Sequence, residues 1–215
     1  AQHVLVMEQL DIGKVADKFV PSFKRGHVGK VNGGLWTPEG KVGGMYTFDG
    51  ADDCIAIGTH DSLRPTTALS ICAWIKAPPQ TAGTTVVYND GDSPGGDGAI
   101  ISLTDYGNGH VAAFGVNDGG WGNNHVTSRT AMDDDRWHHI VGIYNRTEAT
   151  HLYIDGTEVD TRNSVGHGIH YGRGAAFVGT HDAPGDPKFL GAIDEVMVFS
   201  RVLSADEVKT LYDAH

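Results

Sequence analysis

No stretch of this chain runs far before a turn interrupts it. Short runs that alternate or concentrate apolar residues lie at 4–7, 44–48, 54–57, 69–75, 85–89, 98–103, 110–116, 137–144, 150–154, 175–178 and 193–199. Between them stand clusters of Gly, Asp and Asn, which accept turn conformations that other residues resist. Runs of this length, punctuated this often, predict the strands of a sandwich or barrel and leave no room for a body of long helices. The 30 glycines and 8 prolines in 215 residues supply the turns, and a hydrophobic share of 40% supplies the core. An all-β unit of this size forms one body, so 1–215 is expected to be a single domain.

Two local signals are sharper than the rest. Asp155-Gly156 separates His151-Leu152-Tyr153-Ile154 from Thr157-Glu158-Val159. Both turn residues tolerate positive φ, so a type I′ hairpin is predicted there. Ser204 followed by Glu207 has the spacing of a capping box, and Val208 with Leu211-Tyr212 can face the protein body. A helix of about two turns is therefore expected over 205–212, docked on the sandwich.

The charge balance narrows the partners. Sixteen Lys and Arg stand against 27 Asp and Glu, for a net charge of −11. Binding to a nucleic-acid backbone needs clustered cations, and an acidic surface opposes it. No apolar run reaches the roughly 18 residues that a membrane helix requires, so no membrane span is expected. The chain opens Ala1-Gln2 with no signal-peptide pattern, a start that suits a mature secreted protein. Cys54 and Cys72 are the two cysteines. They read either as small buried hydrophobes or as one disulfide between neighbouring strands, and spacing leaves both open.

Five segments then occur in order: Phe48-Asp49-Gly50-Ala51-Asp52-Asp53-Cys54-Ile55, Leu69-Ser70-Ile71-Cys72-Ala73-Trp74-Ile75, Arg136-Trp137-His138-His139-Ile140, Leu152-Tyr153-Ile154-Asp155-Gly156, and Leu190-Gly191-Ala192-Ile193-Asp194-Glu195-Val196 running on to Ser204. From about Val4 to Tyr212 the chain resembles the laminin G-like branch of the concanavalin A-like lectin/glucanase superfamily. The resemblance implies an all-β jelly-roll sandwich of two curved antiparallel sheets with a short C-terminal helix. It also implies a non-catalytic binding or adhesion module of a secreted or cell-surface protein. Two places depart from the family pattern. Cys54 stands where an aromatic residue is usual, and 14–30 lacks the usual Asp-Ser-Ser-Gly-Asn-Gly type of loop.

Related domains often hold calcium where the first strand, the Phe-Asp-Gly turn and the Ile-Asp-Glu-Val strand meet. The resemblance thus implies a structural calcium on Asp11, Gly50 and Asp194, with Asp49 in reserve. A separate argument points to Asp194: it lies inside the apolar run 193–199, and a buried carboxylate must be paired or metal-bound.

Glycosidases of the superfamily carry a Glu-x-Asp-x-x-Glu pattern that sets paired carboxylates on one strand face. This chain has no such pattern. Its acidic groups are Asp52-Asp53, Asp133-Asp134-Asp135 and Asp194-Glu195. Alternation along a strand would turn Asp194 and Glu195 to opposite faces, and 133–135 reads as a solvated turn. There is no Gly-x-Ser-x-Gly elbow, His-Glu-x-x-His pair or phosphate-binding glycine loop. No catalytic residue is assigned, and a glycan-active enzyme is the remote alternative. His138 and His139 point to opposite faces, one expected to pack and the other to lie at the surface. His125, His167 and His170 show no metal-ligand spacing.

Sugar recognition needs an aromatic ring for the pyranose face and planar polar groups for the hydroxyls. Trp121 stands among glycines, flanked by Asn117, Asp118, Asn123, Asn124 and His125. Asp90, Asp92 and Asp97 frame a second Gly-rich loop that can line the same rim. Trp74 and Trp137 lie in strand runs and are expected in the core, whereas Trp36, before Pro38, fits either place. The leading expectation is an extracellular recognition module that binds a glycan or another extracellular ligand and is stabilised by calcium. The alternative is a structural or adhesive subunit that self-associates through sheet edges, Trp36 or Trp121, and the strand 4–7.

Overall fold

The computed structural model describes residues 3–10, 23–80, 83–91, 97–107, 109–118, 124–181 and 188–215, with backbone alone at 3–10, 23–28, 97, 118 and 124. Two seven-stranded antiparallel sheets pack face to face. In spatial order the first sheet holds β10 (Asn124–Ala131), β9 (His110–Asp118), β8 (Asp97–Asp105), β7 (Thr84–Asp90), β14 (Ala176–Val178), β5 (Cys54–Gly58) and β2 (Phe23–Asn32). The second holds β3 (Leu35–Thr37), β4 (Met45–Asp49), β15 (Leu190–Phe199), β6 (Ala68–Lys76), β11 (Trp137–Asn145), β12 (Ala149–Ile154) and β13 (Thr157–Asn163). The expected jelly-roll sandwich is what the chain forms.

One further strand, β1 (His3–Leu10), joins the layers. It runs parallel to β15, with Met7 opposite Met197, and antiparallel to β2, with His3 opposite Lys30. The last residues of β2 then pair with β5, Asn32 opposite Cys54, so the hydrogen-bonded ladder passes from one sheet to the other. At the far side β10 and β13 are tied by a side chain: the Thr127 amide donates to Asp160 Oδ2 at 2.9 Å.

Period-two alternation fills the space between the sheets. Leu69, Ile71, Ala73 and Ile75 of β6 face Ile101 and Leu103 of β8 and Phe114 and Val116 of β9 in one core. A β-carbon at Gly142 would overlap the Phe114 ring, so β11 carries a glycine where the opposite sheet sends a large aromatic side chain inward. The outward residues of β6 are buried too. Cys72, Val141, Ile143, Met197 and Phe199 form a second apolar cluster beneath Leu203, Val208 and Leu211. With both faces covered, β6 reads as a continuous apolar run.

The expected helix is present as α1 (Ala205–Asp213). Its capping box is complete: the Glu207 amide donates to Ser204 Oγ at 3.2 Å, and the Ser204 amide to Glu207 Oε2 at 2.8 Å. Ser70 anchors the lead-in, donating to the Arg201 carbonyl and accepting from the Leu203 amide. The hairpin at Asp155-Gly156 has φ of 51° and 76°, as a type I′ turn requires.

Three strands escaped the pattern reading: β2, β3 and β10. Their sequences, FKRGHVGKVN, LWT and NHVTSRTA, are polar or very short. The two cysteines are free thiols in different layers. Cys72 faces away from the sandwich interior, into the cluster under α1, which removes the neighbouring-strand arrangement that a disulfide needs.

Candidate functional site

Strands β7 to β10 form a meander, so the connections β7–β8 and β9–β10 emerge at one end of the first sheet. Asp90 closes β7, Asp97 opens β8 opposite Asp118 at the end of β9, and Asn124 opens β10 opposite Val116. The fold thus brings Asp97, Asn117, Asp118 and Asn124 to one rim. Asp92, Trp121 and Asn123 lie outside the described residues. The segment before β14 lies across the strand ends: the Gly98 amide donates to the His170 carbonyl, and the His170 amide to the Asn117 carbonyl.

Val116 packs in the core, so alternation turns Asn117 to the other face. Asn117 is only 8% exposed, and its Oδ1 is buried without a hydrogen-bond partner. A buried acceptor left unpaired costs about 1–3 kcal/mol.

Beneath the same rim lies a buried ion pair that pattern reading missed. Arg64 Nε and Nη2 donate to Asp90 Oδ1 at 3.0 and 2.7 Å. The same guanidinium donates to the carbonyls of Gly172 and Gly174 and lies over the Tyr171 ring, 5.6 Å from its centroid. Tyr171 in turn donates to the Pro65 carbonyl at 3.0 Å. Burial pushes the Asp90 carboxyl up and the guanidinium opposes that shift. Nothing in the spacing around Arg64 announces this role, because its partners lie in the chain far from it.

Of the residues named for calcium, Asp49 and Asp194 stand apart. Asp11 lies outside the described residues. Asp194 Oδ2 accepts from the Val42 amide and its Oδ1 from the Glu195 amide, each at 2.9 Å, so its carboxylate holds the loop before β4. Asp49 pairs with Leu190, four residues before Asp194 and roughly 13 Å along the strand. Asp49 instead gathers Asp52 and Asp53, with carboxylate oxygens within 4.8 Å of one another. The Asp49 amide donates to Asp53 Oδ2 at 2.9 Å, and Gly50 turns the chain between them at a φ of 78°. Burial raises the Asp53 carboxyl, and the charges of Asp49 and Asp52 add to that against the Asp49 hydrogen bond.

Two expectations about acids and histidines change. A bulge interrupts β15 between Asp194 and Met197, with Glu195 at a φ of 47°. Ile193 and Val196 both pack in the core, and the Glu195 carboxyl lies beside Asp194 and near Cys72, so the two acids share a side. Burial and the Asp194 charge push Glu195 up to about 7.

The run 133–135 is also more than a solvated turn. Asp133 accepts from His110 and the Gln80 amide, and Asp134 from Arg136 and His138. Partial burial works the other way, yet these donors bring Asp134 down to about 2. Asp135 is exposed and faces Lys76 at 3.7 Å. His138 and His139 do face opposite ways, but both are buried. His138 is held between Asp155 at 2.9 Å and Asp134 at 3.1 Å, and His139 lies against Trp74 under Tyr212. Trp74 is buried as expected, though on the outer side of the second sheet, between Lys41 and Tyr212.

A family model of the concanavalin A-like lectin/glucanases superfamily, laminin G type, matches residues 49–209. A search of curated proteins finds no match. Among solved structures, the binding domain of Paraclostridial Mosquitocidal Protein 1 superposes with a TM-score of 0.71 at 18% identity, covering 98% of this chain and 52% of that one. The present chain therefore spans about half of that domain. Domain 4 of AbnA, an extracellular GH43 arabinanase from Geobacillus stearothermophilus solved with arabinotriose, gives 0.65 at 20% identity over 86% of this chain and 88% of the other. A heptameric SAP-like pentraxin from Limulus polyphemus gives 0.57 at 18% identity, covering 77% and 80%. At these identities the likeness is one of fold, and the fold is one that other proteins use for binding. Among the described residues no helix is long and apolar enough to cross a membrane. With the family model spanning most of the sequence and the sandwich in place, the chain belongs to the concanavalin A-like lectin/glucanase superfamily.

Proposed function

We propose that this domain is an extracellular, non-catalytic recognition module that takes a glycan at the rim formed by the ends of β7 to β10. The observation that carries the reading is Asn117 Oδ1, a buried acceptor without a donor at the strand ends that lead into two Asp- and Asn-rich connections. A sugar hydroxyl supplies such a donor, and the acid and amide residues of the adjoining sequence suit further hydroxyls. The arabinanase domain of similar fold, solved with arabinotriose, supports the ligand class. The Arg64–Asp90 pair keeps the segment 170–174 against the rim, so the site is held before ligand arrives.

Calcium belongs to the same proposal, with its place moved to Asp49, Asp52 and Asp53. Three carboxylates this close repel one another, and a hard cation relieves that repulsion with the oxygen ligands it prefers. Its role there is structural, clamping the turn between β4 and β5.

A glycan array tests the first part. Hits that Asn117→Ala or Trp121→Ala weakens by about tenfold or more, with the melting curve kept, are expected. An array without hits discards the glycan reading. For the cation, calcium is expected to raise the melting temperature and Asp52→Asn to blunt the rise; a melt indifferent to calcium and chelator removes it.

A further inference from the structure

The second sheet ends in β3, a strand of three residues with two large apolar side chains in solvent. Leu35 is 71% exposed and Trp36 41%. Trp36 is not loose. Its indole packs so closely on Gly44 that a β-carbon there would stand 2.7 to 2.9 Å from Nε1, Cε2 and Cζ2. The glycine makes room for the ring, and pairing of Trp36 with Tyr46 fixes the backbone beneath it. A seated but open indole costs apolar exposure and contributes little to the core, in contrast to Trp74, which is covered by its neighbours.

What covers it follows from size, edge and charge. Two side chains offer at most a few hundred Å², against about 800 Å² per partner in a stable protein interface. Strand addition is blunted as well, because Gly33 and Gly34 precede β3 and Pro38 follows it with no amide to donate. Three exposed acids lie nearby in the chain, Glu39 next to the strand and Asp49 and Asp52 around the turn where Gly33 meets Asp53, against one exposed base, Lys30. With the net charge of −11, that disfavours an anionic ligand or an anionic membrane. A small, neutral ligand with an apolar face and many hydroxyl donors fits all three conditions.

We propose that Trp36 is a stacking platform for a neutral saccharide, a second contact point separate from the β7–β10 rim. The proposal rests on reading the domain as a saccharide binder and adds where a longer chain would touch it. Two contact points on one domain raise affinity for a polysaccharide beyond that for a short oligosaccharide.

The test is affinity electrophoresis through gels containing arabinan, xylan, mannan or mixed-linkage β-glucan, with wild type, Trp36→Ala, Trp36→Phe and Asn117→Ala. At least one polysaccharide is expected to retard the wild type. Trp36→Ala should weaken that retardation about tenfold and Trp36→Phe less, since a ring remains. Wild-type tryptophan emission should shift on adding the same polysaccharide, and the shift should shrink in Trp36→Phe, which keeps the measurement usable if the alanine variant misfolds. Equal retardation of both Trp36 variants and wild type overturns the proposal, and a loss confined to Asn117→Ala leaves the rim reading standing. No retardation of wild type in any gel discards both. A sedimentation mass that falls in Trp36→Ala assigns the surface to a second copy of the chain and also overturns the proposal.

Discussion

Arg64 ties several parts of the rim together. It reaches Asp90 on β7 and the carbonyls of Gly172 and Gly174 from one guanidinium, and Asp90 is 1% exposed. An isolated charge at that depth is expensive, and a buried pair broken on one side loses about 3–5 kcal/mol. Arg64→Met is therefore expected to lower unfolding free energy by about that amount in urea denaturation, because Asp90 is stranded. The double variant Arg64→Met/Asp90→Leu should recover most of the loss. If the single variant unfolds at the wild-type midpoint, the pair does not hold the rim. Asp194 shows the other way to bury a carboxylate. Backbone amides of Val42 and Glu195 satisfy it, and no cation is needed for that.

At the scale of single elements, α1 and the strand beneath it depend on each other. The helix is short, so it gains from docking Val208 and Leu211 on Cys72, Val141 and Ile143 more than from its own propensity. Its start is set by Ser204 and Glu207, with Arg201 paired to Glu207 at 2.9 Å. Ser204→Ala should cost about 1 kcal/mol, read as a lower melting temperature with the ligand rim unaffected. The three strands invisible to pattern reading share a cause. β10 alternates inward, but one of its two buried residues, Val126 and Ser128, is polar; β3 is three residues at the end of its sheet, and β2 passes between layers, so none carries the apolar alternation that marks a strand in sequence. Where both faces are covered, as in β6, the run is plain from composition alone.

For the molecule as a whole, two buried histidines and the partly buried Glu195 shape how stability follows pH. The hydrogen bond that His138 donates to Asp155, with help from Asp134, raises its pKa above 6.5. Its contribution is complete below 6.5 and is lost as pH rises through the folded value. Glu195 stands at about 7 instead of 4.5, so its contribution is complete below 4.5 and lost as pH rises through about 7. Burial lowers His139 to about 4, which makes its contribution complete above 6.5 and lost as pH falls toward 4. The melting temperature should therefore peak on the mildly acid side of neutrality. Thermal melts from about pH 4 to about pH 8 should show Glu195→Gln flattening the alkaline fall and leaving the acid one. An alkaline limb identical in wild type and variant would mean that Glu195 is ionised at no cost.

The sandwich class, most strands, the Asp155-Gly156 turn and the capped helix were all legible from residue order. Each depends on neighbours within a few positions, where turn chemistry, alternation and capping act. So was the placing of Asp97, Asn117, Asp118 and Asn124 at one end of the sheet, since a meander returns alternate strand ends to the same side. The Arg64–Asp90 pin, the Asp49–Asp52–Asp53 cluster, the bulge that puts Glu195 beside Asp194, and the seating of Trp36 on Gly44 were not. Each joins residues through space or breaks the two-residue period. A one-dimensional pattern carries neither the packing that brings distant groups together nor the burial that decides their charge.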